Sequence, residues 1–163
     1  MKRLFILLLC LFCLFLSSCG ERDYGFLPFE NKNVKAECEV NGKFTVIIDK
    51  TQNECSLTVV SPSEISGLKF TFSEDGDFII ADGMKLPFDR YQLKGIYALS
   101  SLFDIKEEAM ISAVSKEGHG NITFENGGTE YLLIFDNDGY LRNAEISGEG
   151  YDYAVKILSI KAE

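Results

Sequence analysis

Apolar and polar residues alternate along most of the chain from Val34 onward, which is the period of β-strands with one buried face. The segment Val34–Val40 follows this period, and Asn41 and Gly42 after it favour a type I′ turn into Phe44–Ile48, whose apolar residues again share one face. Polar turns separate further strand-like segments, which are Cys55–Val59, Leu68–Phe72, Phe78–Ile80, Met84–Phe88, Ala109–Ser115, Asn121–Glu125, Thr129–Phe135, Tyr140–Ile146 and Tyr151–Ile160. The pattern predicts about ten strands joined mostly by hairpins.

One long segment departs from this period. Leu93, Ile96, Tyr97, Ser100 and Phe103 recur at three- and four-residue spacing, so they share one face of a helix. We expect a helix of about 10 to 14 residues that lies on the sheet by this face.

A short helical turn is predicted after the third strand. Ser61 and Glu64 match a capping box, in which the serine side chain accepts a hydrogen bond from the backbone N–H of the glutamate. Pro62 then takes the first helical position, and Gly67 ends the turn.

These elements predict an α+β fold that is mainly β. The hairpins form an antiparallel meander, a curved sheet or an incomplete barrel, with the one main helix packed on its concave face. Residues 34–163 form a single globular domain in this prediction, because no clear repeated motif divides the meander.

A basic head and an apolar run occupy the start of the chain. Lys2 and Arg3 precede the apolar residues 4–16, which as a helix measure roughly 20 Å, short of the roughly 30 Å hydrocarbon core of a membrane. This order is typical of an export signal. A buried N-terminal helix and an uncleaved single span are the alternatives.

The segment Leu16–Cys19 resembles the lipobox of bacterial lipoproteins. The resemblance implies cleavage before Cys19 and lipid on its thiol, so that residues 1–18 are a signal peptide and residues 19–33 a lipidated N-terminus and tether. Two or three acyl chains would hold the domain at a membrane surface outside the cytoplasm. Because Gly20 follows the cysteine, the resemblance implies the outer membrane in a two-membrane bacterium and the outer leaflet of the plasma membrane in a one-membrane bacterium.

The charge balance disfavours one class of partner. The 163 residues include 25 acidic and 16 basic side chains, for a net charge of -9. An acidic domain repels phosphate backbones, so no nucleic-acid partner is expected. With a single histidine the chain lacks the ligands of a multi-histidine site, and neither a metal nor a cofactor is predicted.

No set of residues is typical of an active site, so we predict no catalytic residues and no enzymatic activity. His119 lies between two glycines and is expected in a turn, without the nucleophile elbow that a hydrolase would need. Asp136–Gly139 is similar to the start of a calcium loop, but the residues that follow are not the required oxygen ligands, so a hairpin turn is expected. Paired carboxylates for glycoside hydrolysis stay open as an alternative, because acidic residues are numerous.

Two cysteines, Cys38 and Cys55, belong to the predicted domain. An exported pair favours a disulfide. The predicted first and third strands place the two residues about 9 to 10 Å apart, however, beyond the reach of a disulfide. Two buried thiols are therefore preferred, and the disulfide is the alternative.

Aromatic residues are abundant on the predicted apolar faces, since the chain has 13 Phe and 7 Tyr. A curved sheet under a single helix can leave an apolar cavity, and a fully packed core is the alternative. The residues predicted to line such a ligand site are Phe44, Val46, Phe70, Phe72, Leu99 and Phe103.

The whole mature chain resembles the half-barrels of the lipoprotein-localization-factor group, which includes a periplasmic lipoprotein carrier, its outer-membrane receptor and lipid-carrying surface lipoproteins. The resemblance lies in the lipobox at Cys19, the hairpins from Val34, the turn at Ser61 and Pro62, and the helix near Leu93–Phe103. It implies an incomplete antiparallel barrel whose concave apolar face holds acyl chains. The chain departs from the group in its single covering helix and its acidic surface.

Two functional hypotheses follow. The first is a membrane-anchored, non-enzymatic lipoprotein that binds a lipid or an acyl chain between sheet and helix. The second is an envelope lipoprotein with a filled core that binds another protein through an outer strand or loop. An apolar cavity favours the first, and an exposed apolar patch over a filled core favours the second.

Overall fold

The computed structural model describes Phe29 and residues 32–106, 109–116 and 119–163. The predicted signal peptide, Cys19 and most of the tether lie outside the described residues. None of the helices in the described ranges is long and apolar enough to cross a membrane.

Eleven antiparallel strands of the described chain form one open sheet. They are β1 Val34–Val40, β2 Phe44–Lys50, β3 Glu54–Ser61, β4 Lys69–Ser73, β5 Gly76–Ala81, β6 Met84–Phe88, β7 Met110–Lys116, β8 His119–Asn126, β9 Thr129–Phe135, β10 Leu141–Gly148 and β11 Tyr151–Ala162. The predicted fold class, a mainly β antiparallel meander with one main helix and no closed barrel, is confirmed.

The order of the strands is β6-β5-β4-β3-β2-β1-β11-β10-β9-β8-β7. Two meanders, β1–β6 and β7–β11, therefore join where the first strand pairs with the last. Because neighbouring strands are antiparallel throughout, β2, β4, β6 and β11 begin at the same end of the sheet. The β2–β3 and β4–β5 turns lie at the opposite end, and β6 and β7 are the two edges.

The predicted turn after β1 also connects the two meanders. Asn41 and Gly42 have φ angles of 53° and 64°, the positive values that a type I′ turn requires. The Asn41 side chain accepts a hydrogen bond from the Ala154 N–H at 2.7 Å and donates one to the Asp152 carbonyl at 3.2 Å. One asparagine thus shapes the hairpin and fastens it to β11.

The helix α1 is shorter than predicted, because it spans seven residues, Lys94–Ser100. A 3-10 turn, Arg90–Leu93, precedes it, and Asp89 caps this turn by accepting from the Tyr91 N–H at 2.9 Å. The Ser101 N–H donates back into α1, and the chain then leaves the helical path. The predicted apolar stripe is therefore divided among a 3-10 turn, a short helix and the residues after it.

Contacts with α1 show that the sheet is strongly curved. The Phe72 ring of β4 packs on the Tyr97 ring with centroids 5.2 Å apart, and the Tyr131 hydroxyl of β9 donates to the carbonyl of Ala98 at 3.3 Å. In the sheet, β4 and β9 are six strand spacings apart, about 29 Å if the sheet were flat. Both touch adjacent helix residues, so the sheet wraps around α1, as predicted.

The predicted capping box does not form. The short 3-10 turn that follows β3, Ser63–Ile65, has no side-chain cap. The Ser61 hydroxyl instead accepts a hydrogen bond from the backbone N–H of Thr45 at 3.2 Å. Ser61 ends β3 opposite Thr45 of β2. Because its hydroxyl oxygen bonds to this neighbouring strand, it does not cap the turn.

Both cysteines of the domain are free thiols, as preferred from the sequence. Cys38 lies in β1 and Cys55 in β3, with β2 between them. Burial raises the pKa of each thiol to about 12. Cys38 therefore acts as a small apolar group of the core, whereas Cys55 is only partly buried, so that the expectation of two buried thiols holds for Cys38 alone.

We predict that neither thiol reacts readily in the folded protein. With pKa values of about 12 against an ordinary 9.0, Cys38 and Cys55 carry about a thousandfold less thiolate than an exposed thiol near neutral pH. Iodoacetamide labelling at pH 8, read by peptide mass spectrometry, should modify both only after denaturation. Rapid labelling of either residue in the folded chain would contradict the burial described here.

Candidate functional site

The curved sheet forms a half-barrel, and we call its concave apolar face the floor. The floor and the helical segment opposite it contain most of the residues predicted to line a ligand site. Five of the six are buried and meet in one core, with three on the sheet and two on the helical segment that faces it. They are Val46, Phe70, Phe72, Leu99 and Phe103. Phe44 lies on the same face as Val46 by alternation but is 38% exposed at the beginning of β2.

The floor continues beyond the helix at one end of the sheet, which we call the open end (Phe44, Met84 and Leu86). Phe88 packs edge-to-face on Phe72 with ring centroids 5.5 Å apart, so it faces the concave side. Leu86 and Met84 follow the same alternation and are 57% and 62% exposed. The sequence predicted a strand over Met84–Phe88 but did not assign these residues to the floor.

A cavity of about 320 Å³ separates the beginning of α1 from β11. Leu93 and Ile96 lie on its helical side, and Tyr151 and Tyr153 lie on the sheet side. Gly95 allows α1 to lie close to β11. A Cβ at this position would lie 2.5 Å from the Tyr153 hydroxyl oxygen and 3.1 Å from Tyr151 Cγ. Since β11 begins at the open end, this cavity lies at that end of the sheet.

A second cavity, of about 310 Å³, lies at the opposite end, beside the β2–β3 turn and the end of β4. We call it the rim cavity. Its wall combines amide, carboxylate and hydroxyl groups with aromatic rings, and it includes Asn53, Glu74, Phe72, Tyr97 and Ser101. The two ends of the half-barrel therefore differ in chemistry.

Asp77 holds Arg90 in the wall of the rim cavity. The Nε and Nη2 groups of Arg90 each donate to a carboxylate oxygen of Asp77 at 2.8 Å, and Nη2 also donates to the Ser73 carbonyl at 3.1 Å. The guanidinium lies over the Tyr97 ring, 5.1 Å from its centroid. The hydrogen bond to Asp77 raises the pKa of Arg90 above its ordinary value, so the group is a permanent cation. These contacts fasten the segment that leads into α1 to β4 and β5.

Lys50 makes a corresponding connection at the same end. Its buried Nζ donates to the Phe29 carbonyl at 2.7 Å and lies 3.4 Å from the Asp104 carboxylate. The Phe29 ring packs edge-to-face on Phe103 with centroids 5.7 Å apart. The chain that precedes β1 is thus held at the rim end, against the segment that follows α1.

Within the described residues, no group of three or more His, Cys, Asp or Glu side chains is placed to hold a metal ion. Asp136 closes a hairpin turn, as predicted, by accepting from the N–H groups of Tyr140 and Asp138 at 2.9 and 3.0 Å and from Arg142 Nε at 2.6 Å. These bonds, that from Tyr140 above all, lower the pKa of Asp136.

His119 begins β8, so its predicted position in a turn is wrong, because the pairing of β7 with β8 extends to it.

No protein-family model and no curated protein matches the sequence. Among solved structures, an uncharacterized conserved protein from Thermus thermophilus is 9% identical, with 85% of this chain and 84% of that chain covered and a TM-score of 0.48. A LolA superfamily protein from Nitrosomonas europaea is 8% identical, with 84% of this chain and 91% of that chain covered and a TM-score of 0.39. A structural neighbour of this chain is therefore a member of the LolA superfamily.

We predict that Gly95→Ala destabilises the protein although alanine favours helices. The added methyl overpacks against Tyr151 and Tyr153, which should lower the free energy of unfolding by about 1–3 kcal/mol in chemical denaturation. Combining it with Tyr153→Phe removes the nearest contact and should recover part of the loss. An increase in stability for Gly95→Ala alone would contradict the close packing.

We predict that Arg90→Leu costs about 1–3 kcal/mol of stability, because it leaves the buried Asp77 carboxylate without its cation. Arg142→Leu is the matched control, because its ion pair with Asp136 is exposed and should contribute much less. Chemical denaturation of both variants measures the difference. Equal losses of unfolding free energy in the two variants would contradict a larger contribution from the Arg90–Asp77 pair than from the exposed one.

Proposed function

We propose that the protein binds a hydrophobic ligand, a lipid or an acyl chain, between the concave face of the sheet and the segment that contains α1. The observation that carries this proposal is the cavity of about 320 Å³ at the open end, between Ile96 and Tyr153. Phe44, Met84 and Leu86 lie on the concave face at the same end and are exposed. Exposed apolar surface on a concave face is typical of a binding site. Binding of this kind needs no catalytic group, and we propose a non-enzymatic role.

The open end offers such a ligand a cavity and an exposed apolar surface. The cavity lies between Ile96 and Tyr153, and Leu86 lies on the exposed floor at the same end of the sheet. Each Å² of apolar surface that the acyl chain removes from water contributes roughly 25 cal/mol to the binding free energy. The affinity would thus come from burial with little polar recognition at this end, which suits a ligand class defined by its hydrocarbon.

We further propose that the chain is a lipoprotein, anchored outside the cytoplasm to a bacterial membrane through Cys19. The basic head, the short apolar run and the lipobox support this proposal together. Phe29, which is packed at the rim end, follows Cys19 by ten residues. A chain of that length spans at most roughly 35 Å, so the anchor would hold the rim end within that distance of the membrane.

A second candidate function is the binding of an envelope protein through the edge of the sheet. The exposure of Met84 and Leu86 on the edge strand β6 favours it, since an added strand from a partner would cover the same side chains. The two functions differ in what co-purifies with the chain.

We predict that the full chain carrying Cys19→Ser, which removes the proposed acceptor thiol, retains a lipid that native mass spectrometry and organic extraction detect. Leu86→Glu should reduce the retained lipid about tenfold, because a charge replaces apolar contact area. Leu158→Glu is the matched control, since this leucine is also exposed, at 46%, in β11. A lipid-free chain that takes up no added fatty acid would contradict lipid binding and favour the edge-strand function.

We predict that an alkyne-tagged palmitate fed to expressing bacteria labels the chain. Cys19→Ala should abolish the label, whereas Cys13→Ala, in the predicted signal peptide, should leave it unchanged. Label that persists in Cys19→Ala would contradict the proposed anchor and leave the ligand proposal untouched.

A further inference from the structure

The rim cavity has the size of a site for a small polar molecule. Its volume is about 310 Å³, at the lower end of the range of roughly 300–1,000 Å³ that ligand sites occupy. It does not belong to the open end, since it lies at the other end of the strands. Its chemistry therefore calls for a ligand other than a hydrocarbon chain.

The hydroxyl of Ser101 offers unused hydrogen-bonding capacity to this cavity. Ser101 lines the cavity, yet its surface is only 5% exposed. Among the described residues its hydroxyl has no hydrogen-bond partner, whereas the neighbouring Ser100 hydroxyl donates to the Tyr97 carbonyl at 2.8 Å. Because no buried side-chain oxygen of the described residues lacks a partner, this hydroxyl is open to the cavity, where it can donate to and accept from a ligand.

The charges around the rim cavity largely neutralise one another. Arg90 is paired with Asp77, as described above. The Asp104 carboxylate lies 3.4 Å from Lys50 Nζ, and the Glu54 carboxylate of the wall lies 3.6 Å from the Lys69 ammonium. Of the three carboxylates in the wall, Glu74 alone has no ion pair with a described residue, and it is exposed. The wall therefore disfavours an anion, and its one unpaired carboxylate, on the exposed Glu74, attracts a cation only weakly because water screens it.

The remaining wall groups fit a neutral ligand rich in hydroxyl groups. The amides of Gln52 and Asn53 offer both donors and acceptors, and the carboxylates accept further hydrogen bonds. Phe72 and Tyr97 supply an apolar surface for the C–H face of a ring. We propose that the rim cavity binds a sugar ring, through the Ser101 hydroxyl and the amides of the β2–β3 turn.

The sugar can belong to a free saccharide or to the head group of a glycolipid. The proposal is independent of lipid binding at the open end, because it concerns a separate cavity. Two probes distinguish the sources: methyl β-glucoside, and octyl β-glucoside below its micelle concentration. Tighter binding of the octyl compound that Ser101→Ala weakens and Leu86→Glu leaves unchanged indicates a lipid-linked sugar, and equal binding of the two compounds indicates a free one.

Saturation-transfer NMR and calorimetry on the full chain carrying Cys19→Ser test the proposal. We expect saturable binding of methyl β-glucoside, weakened about tenfold by Ser101→Ala, which removes one hydrogen-bonding group from the site. Because the Ser101 hydroxyl has no partner within the described chain, this variant should keep the stability of the parent. Ser159→Ala, on the exposed surface of β11, is the matched control and should bind normally.

Charged probes separate the sugar from other ligands. Choline and inorganic phosphate should not compete with the glucoside, and Glu74→Gln should change its affinity little, because the ligand is neutral. The proposal is overturned by the absence of saturable sugar binding, by an unchanged affinity in Ser101→Ala, or by preferential binding of choline or phosphate. Fatty-acid uptake measured on the same protein reports on the open end alone, so failure of one site is distinguishable from failure of the other.

Discussion

The helix α1 must pack against both halves of the sheet at once, and the shape of the molecule depends on this requirement. Tyr97 contacts Phe72 of β4, while the next residue, Ala98, accepts a hydrogen bond from Tyr131 of β9. Two strands that a flat sheet would keep about 29 Å apart therefore approach one short helix. Apolar burial drives the curvature, because α1 and the residues that follow it, such as Leu102 and Phe103, cover the inner face of both meanders in the described part of the chain.

The two ends of this arrangement are completed by different interactions. At the rim end, Arg90 with Asp77 and Lys50 with Asp104 join the segment around α1 to the sheet through charged hydrogen bonds and ion pairs. At the open end, the approach of Gly95 to the tyrosines of β11 holds the helix, and the floor extends beyond it to Leu86. The two ends of one fold therefore differ in chemistry, with apolar side chains exposed at the open end and paired charges at the rim end.

Much of the candidate site was predictable from alternation, and part of it was not. Period two placed Val46, Phe70 and Phe72 on one face, and the helical stripe placed Phe103 opposite them. Leu86 and Ser101 were missed for a common reason. Whether an edge residue stays exposed, or a serine turns to a cavity, depends on which distant segments approach it, and alternation contains no information about such approaches.

The amino-acid sequence by itself determined the strands, the turn at Asn41 and the separation of Cys38 from Cys55. These features depend on side-chain period and on backbone preferences within a few residues. Only the tertiary structure decided that β1 pairs with β11, that the helix shortens, and that Ser61 bonds to β2 instead of capping a turn. Each of these outcomes depends on partners far apart in the chain, and the energy of their packing exceeds the local preferences that would have chosen otherwise.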